Sequence, residues 1–248
     1  MTEEVGDSTT AGRRLTRGEK EAAINDPAAL LSKAQSQRVV ERQRLYAESA
    51  VGLLGDLAES GFPVASVGEL REWPIKYQAA VPVLVDWLPR VSYLPLVEDI
   101  VRTLSVPFAK KQALPTLLKF FRIPPSVEDP MRPASSEPGE EHLRWVVGNA
   151  LGVFAAPAIA DELIELALSR EFGGARGQIV LSLPRVKDDR VPGVLVSLLD
   201  DPTVAPSVIE ALGKMKFVDA RDRVRDLLDA PDKNVRDQAK KALKRMTG

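Results

Sequence analysis

Ala80-Val-Pro-Val-Leu-Val-Asp-Trp-Leu88 decides the fold, because the chain writes this phrase four times. It returns as Ala113-Leu-Pro-Thr-Leu-Leu-Lys-Phe-Phe121, as Val191-Pro-Gly-Val-Leu-Val-Ser-Leu-Leu199 and as Ala220-Arg-Asp-Arg-Val-Arg-Asp-Leu-Leu228. Self-similarity at a period of about 30 residues marks a stacked-repeat protein, whose units bury their apolar faces only against their neighbours. A second phrase falls between the copies of the first: Ala150-Leu151-Gly152, Ser182-Leu183-Pro184, Ala211-Leu212-Gly213 and Ala242-Leu243-Lys244. Its leucines are 32, 29 and 31 residues apart. Small residues at these points let neighbouring helices approach closely, while the leucine fills the space between layers. No stretch alternates apolar and polar residues over strand length, so the chain is expected to be all-α.

The pattern predicts helix pairs over 79–90 with 93–105, 109–122 with 141–154, 158–171 with 175–184, 190–200 with 204–214, and 219–229 with 234–246. Asp188-Asp189, Asp200-Asp201-Pro202 and Asp229-Ala230-Pro231 punctuate them. In a common register, positions 83, 116, 162, 194 and 223 are equivalent, with steps of 33, 46, 32 and 29. The long step contains Ile123 to Glu140, whose five prolines preclude helix. It reads as a Pro-rich insertion, 123–140, that serves either as a binding loop or as a tolerated linker.

Residues 1–26 are polar and charged and read as a disordered arm. Asp26-Pro27 has the chemistry of a helix cap followed by a first-turn proline. A long N-terminal helix follows, with Leu30, Leu31, Val39, Val40, Leu45, Val51, Leu54 and Leu57 as its stripe and Gly61 near its end. Residues 62–78 are irregular and aromatic, so 27–78 is expected to form a helix and capping segment ahead of the repeats at 79–248.

Lys and Arg total 34 against 35 Asp and Glu, a net charge of −1, which argues against a polyanionic partner. There is no cysteine, so no disulfide, thiolate metal site or thiol nucleophile is available. The acidic start, Met1-Thr-Glu-Glu-Val-Gly-Asp, is unlike a secretory signal. The most apolar stretch, Ala150 to Ala160, is far short of the ~20 residues that cross a bilayer. The expectation is a cytoplasmic protein without membrane association.

Val191 to Pro202, followed by Val208-Ile-Glu-Ala-Leu-Gly-Lys-Met-Lys and by Asn234-Val-Arg-Asp-Gln-Ala-Lys-Lys-Ala-Leu, resembles HEAT repeats of the short bacterial type also seen in phycobilisome-lyase-like proteins. The likeness runs over about 141–246 and is traceable from 79 to 122. It implies a right-handed α-solenoid of about five helical hairpins and a role as adaptor or scaffold. It supplies no catalytic, cofactor-binding or metal-binding residue.

The residues themselves offer little chemistry. His142 is the only histidine, and the residue three before it is Gly139, so a Glu-x-x-His metal motif is absent. Asp188/Asp189 and Asp200/Asp201 fall at helix ends, where Asp caps amides. Glu162 and Glu165 lie one helical turn apart, and paired acids work as acid and base only where burial splits them. Gly173-Gly174 reads as a helix stop. No cofactor is implied.

A protein partner is the leading expectation. The outward positions of the repeated helix are Val83 and Asp86, Thr116 and Lys119, Glu162 and Glu165, Val194 and Ser197, and Arg223 and Asp226. In HEAT proteins such positions line the concave side, and here they form a chemically mixed ladder. Trp73 and Tyr77, in the irregular segment, are candidate interface anchors, whereas Trp87 and Trp145 read as packed. Two alternatives remain open. Between Lys214 and Arg245 there are 11 basic and 6 acidic residues, a balance of +5, which could dock nucleic acid or another acidic partner. A lyase-like cofactor chaperone would instead need a deep pocket near Glu162 and Glu165.

Overall fold

The computed structural model describes residues 27–247; the expected disordered arm and the Asp26 cap lie outside the described residues. The chain divides into two units, residues 1–45 and 46–248. The division falls inside the first helix, α1 (Pro27–Glu59). In the first unit, Val39 and Val40 are exposed, and Arg44 pairs with Glu41 at 2.6 Å.

The second unit is all-helical over its described residues. After the last part of α1 come α2 (Val81–Trp87), α3 (Leu94–Leu104), α4 (Lys110–Arg122), α5 (Gly139–Val153) and α6 (Ala160–Leu168). Then follow α7 (Arg176–Ser182), α8 (Val191–Ser197), α9 (Ala205–Met215), α10 (Arg221–Asp226) and α11 (Lys233–Met246). Each predicted helix is present. Most of the even-numbered ones open through a single 3₁₀ turn, as at Pro107–Ala109 and Pro157–Ile159. Both of those turns start on proline, whose fixed φ suits a helix start and whose missing N–H is not needed there.

The repeated phrase has a simple geometric meaning. Its first, fifth and ninth residues lie four apart and share one helix face. Ala80, Leu84 and Leu88 are buried, as are Ala113, Leu117 and Phe121, and Val191, Leu195 and Leu199. In the last copy Ala220 and Val224 are buried and Leu228 is half-buried. Each fully buried leucine contributes about 1.5–3 kcal/mol of transfer free energy.

Helices α3, α5, α7, α9 and α11 pack in succession, each against the next. Even-numbered helices pack against them and, at α2–α4 and α6–α8, against each other. The small residues of the second phrase sit in this odd-numbered succession. A side-chain carbon on Gly213 would lie 2.8 Å from the Cα of Ala242, and one on Gly177 2.9 Å from the Ser207 hydroxyl. Between α6 and α7 the chain turns at Gly173, whose φ of +50° is disfavoured for side chains other than glycine. Asp232 caps α11 by accepting from the amides of Asn234, at 2.6 Å, and Val235, at 3.2 Å.

Residues 62–78 take part in this packing. Val67 and Leu70 are buried on a 3₁₀ turn (Val67–Glu72) that packs on α3. Asp99 of α3 accepts from the Tyr46 hydroxyl at 2.6 Å, the Gly68 amide at 2.9 Å and Arg71 at 2.7 Å. The stripe of α1 that is buried comprises Ala50, Leu53 and Leu57; Val51 points outward.

Candidate partner-binding surface

Part of the outward ladder of the repeats is engaged in ion pairs between neighbouring helices. Arg122, one residue past the second copy of the phrase, reaches from α4 to Glu165 of α6 at 3.0 Å. Asp200 occupies the equivalent place after the third copy and accepts from Arg223 of α10 at 2.7 Å. Between these two pairs, Arg190 spans Asp161 at 2.6 Å and Asp188 at 2.8 Å. The Arg190 side chain and amide hold the Asp188 carboxyl down at about 2. Two of the ladder's charges, Glu165 and Arg223, are therefore paired with residues of the neighbouring repeat. The arginine and acid that swap places at 122 and 200 were the available signal.

The remaining ladder residues vary in availability. Asp86 is exposed and paired with Arg90 one turn on. It borders a shallow hollow of about 570 Å³ between α2 and α4, with Pro82, Val85, Pro89 and Gln112. Val83, Thr116, Glu162 and Val194 are half-buried; Lys119, Ser197 and Asp226 are exposed. The Ser197 hydroxyl is turned back to the Val194 carbonyl at 2.8 Å.

The two aromatic candidates of the irregular segment differ in exposure. Tyr77 is only 5% exposed: its hydroxyl donates to the Thr103 carbonyl at 2.8 Å and its ring meets the edge of Phe108 at 5.1 Å. Burial raises its pKa. It is a packing residue and cannot anchor a partner without unfolding its surroundings. Trp73 is half-buried, edge-on to Phe62 at 5.7 Å.

Trp145 departs from expectation in the opposite direction. The Val146-Val147 pair beside it predicts a packed ring, but these two face inward and turn the ring out, 40% exposed. Residues at this position of a helix lie on either face depending on a rotation that a Trp-Val-Val run does not fix. The ring borders a cleft of about 280 Å³ between α3 and α5, which it shares with Arg102, Ser105, Val146, Asn149 and Val153. Val153 is likewise 41% exposed. The edge of the cleft is polar: Arg102 lies 3.4 Å from Glu98, and His142 stacks on Trp145 with ring centroids 6.5 Å apart. Trp87, also read as packed, is half-buried; it donates to Asp56 at 2.6 Å and lies over Gly52.

The insertion carries more order than a linker needs. Glu128 pairs its backbone with the turn before α3, donating to Ser92 at 2.8 Å and accepting from Leu94 at 2.9 Å. Arg132 donates to the Glu137 carbonyl at 3.1 Å. Val127 packs beside Gly139 at the start of α5.

At the C-terminal end, Lys240, Lys241, Lys244 and Arg245 are exposed on α11, while Asp237 is held by Lys233 at 2.7 Å. Among the described residues no group of three or more histidine or acidic side chains could hold a metal ion. Nor is any described helix long and apolar enough to cross a membrane. No protein-family model, curated protein or solved structure matches the chain. Its chemistry has to be argued from its own surfaces.

Proposed function

We propose that this chain is a non-enzymatic, cytoplasmic protein-binding adaptor, a HEAT-type right-handed solenoid that receives its partner at the α3–α5 cleft. The observation that carries this reading is Trp145. A tryptophan with two-fifths of its surface open, beside an exposed valine and an arginine, has the composition of an interface hot spot: aromatic and apolar at the centre, polar at the rim. The succession of helices and the recurring phrase support the solenoid, and the ion pairs at Glu165 and Arg223 make that part of the ladder the poorer docking face. Desolvating a charge already paired costs more than it returns.

A tagged pull-down from the native cytoplasm, with nuclease and at low and high salt, tests the proposal. A stoichiometric protein that survives both treatments and is lost with Trp145→Ala is the expected outcome. Capture unchanged by that substitution moves the surface elsewhere. A second reading has one observation in its favour: the exposed cations on α11 lie where their nearest acid is already paired. It predicts nuclease-sensitive material whose recovery falls steeply with salt.

A further inference from the structure

His142 stands between two carboxylates. Its Nε2 lies 2.9 Å from Glu98 Oε1 on α3, and its Nδ1 lies 3.2 Å from Glu137 Oε1 in the insertion. A carboxylate only accepts, and a neutral imidazole has one N–H and one bare nitrogen. Both contacts are therefore hydrogen bonds only when the ring carries two protons. With one proton, a nitrogen lone pair faces a carboxylate oxygen at about 3 Å, and one of the two contacts must open.

The surroundings decide which contact yields. Glu98 is 19% exposed and is also engaged by Arg102 on α3, whereas Glu137 is 56% exposed on the insertion. The other charged groups around the ring are Arg132, 4.0 Å from Glu137, and Glu140, Glu141 and Arg144 on α5 itself. Glu140 is turned toward the Val127 amide and Glu141 toward Arg144. Glu137 is thus the looser partner, and it belongs to the segment that runs up to the first turn of α5.

We infer that His142 is a proton-operated latch: doubly protonated, it ties the 129–138 segment to α3 beside the Trp145 cleft, and on losing a proton it releases Glu137. This rests on the cleft being the partner surface, which the latch would regulate. The imidazole stacks on Trp145, so one protonation event fixes both the edge of the cleft and the ring at its centre. Release frees the 129–138 segment to move relative to the cleft, so partner affinity follows the protonation state of the ring.

The chain has no cysteine, so a nitroxide on Ser135→Cys reports on the insertion alone. Ser135 is exposed and makes none of the latch contacts. In the full chain, the label is expected to reorient roughly twofold or more faster at pH 8 than at pH 6, a change on the timescale of loop motion. With His142→Gln or Glu137→Gln the mobility is expected to be high and the same at both pH values. Far-UV circular dichroism confirms that each variant keeps its helix; should one fail, the other carries the test. A label that does not respond to pH, or responds equally in a folded variant, overturns the latch. Loss of the latch with Trp145-dependent capture intact sinks the latch alone. A working latch with capture indifferent to Trp145→Ala sinks the docking surface alone.

Discussion

Tyr46 and Asp99 are 53 residues apart in the chain and 2.6 Å apart in space, joined by a hydrogen bond from the phenol to the carboxylate. The same phenol oxygen accepts from the Val67 amide at 3.2 Å, and Asp99 also accepts from Gly68 and Arg71. Arg71 goes on to Thr103 at 2.7 Å. One partly buried cluster therefore joins the C-terminal part of α1, the 3₁₀ turn and α3. These polar contacts add to the apolar packing of Leu53, Leu57, Val67 and Leu70.

Tyr46→Phe is expected to cost about 1–2 kcal/mol, because it leaves the Val67 amide without its acceptor and Asp99 with one donor fewer. Urea unfolding measures this as a lower midpoint at unchanged slope. The alkaline limb tests the same contact. Burial, then the hydrogen bond to Asp99, raise the Tyr46 pKa well above its ordinary value of 10.0. The unfolded chain then loses its phenolic proton before the folded one does. This contribution to stability is fully present below about pH 10 and is lost as pH rises from there through the folded pKa. The phenylalanine variant should lack this part of the alkaline fall.

Arg176 and Asp201 form the interior counterpart. Arg176 is 1% exposed and donates to the Gly173 and Ala167 carbonyls and to Asp201, at 2.8 Å; Asp201, 4% exposed, also accepts from the Thr203 amide. Arg176→Ala leaves the Asp201 carboxylate with only the more distant, exposed Arg170 at 3.7 Å as a charged partner, and is expected to cost about 3 kcal/mol. Arg176→Met with Asp201→Asn removes both charges while keeping an acceptor for Thr203, and should lose less than the single change. Burial alone would raise the Asp201 pKa, but the Arg176 hydrogen bond and the Thr203 amide outweigh it and set it below 3.8. Its stabilising contribution is therefore present above about pH 4 and lost as pH falls through the lowered folded value. Acid unfolding of Asp201→Asn against the parent chain isolates it.

The helices and their order were legible because the phrase places apolar residues four apart, as at Ala113, Leu117 and Phe121, and no other local structure buries that set. Close approach was legible too, in Gly213 and Ala242. Facing was not. Trp145 and Val51 each sit beside small or apolar neighbours, and which of them turns outward depends on the tertiary contacts of the whole helix. The polar groups that bind layers together were equally hidden. Arg122–Glu165 and Tyr46–Asp99 are 43 and 53 residues apart, and such partners become neighbours only when the stack is built.

Gly213→Ala probes the tightest of those approaches. The added carbon would meet the Cα and Cβ of Ala242, each at 2.8 Å, and backbone cannot yield as a flexible side chain does. Helices α9 and α11 must separate, at a cost of about 1–3 kcal/mol that outweighs the gain in helix propensity of about 1 kcal/mol. Gly55→Ala, with nothing near its added carbon, supplies the control and is expected to be neutral or stabilising. Thermal unfolding of the two variants should move in opposite directions, and a fall in both would mean that α9 and α11 are not the sensitive contact.

Trp145→Ala and Trp87→Ala separate surface from packing. Trp87 lies over Gly52, where an added carbon would come within 2.5 Å of its ring, and it donates to Asp56. Truncating it removes both contacts and is expected to cost about 2 kcal/mol, less than the 3–5 kcal/mol typical of a fully buried ring. Trp145 has no such partner for its indole and opens onto the cleft, so its truncation should stay within about 0.5 kcal/mol, the usual range for surface positions. Urea midpoints of the two variants decide this. A Trp145→Ala midpoint as low as that of Trp87→Ala would place the ring in the core, and loss of a partner in that variant would then report on folding rather than on docking.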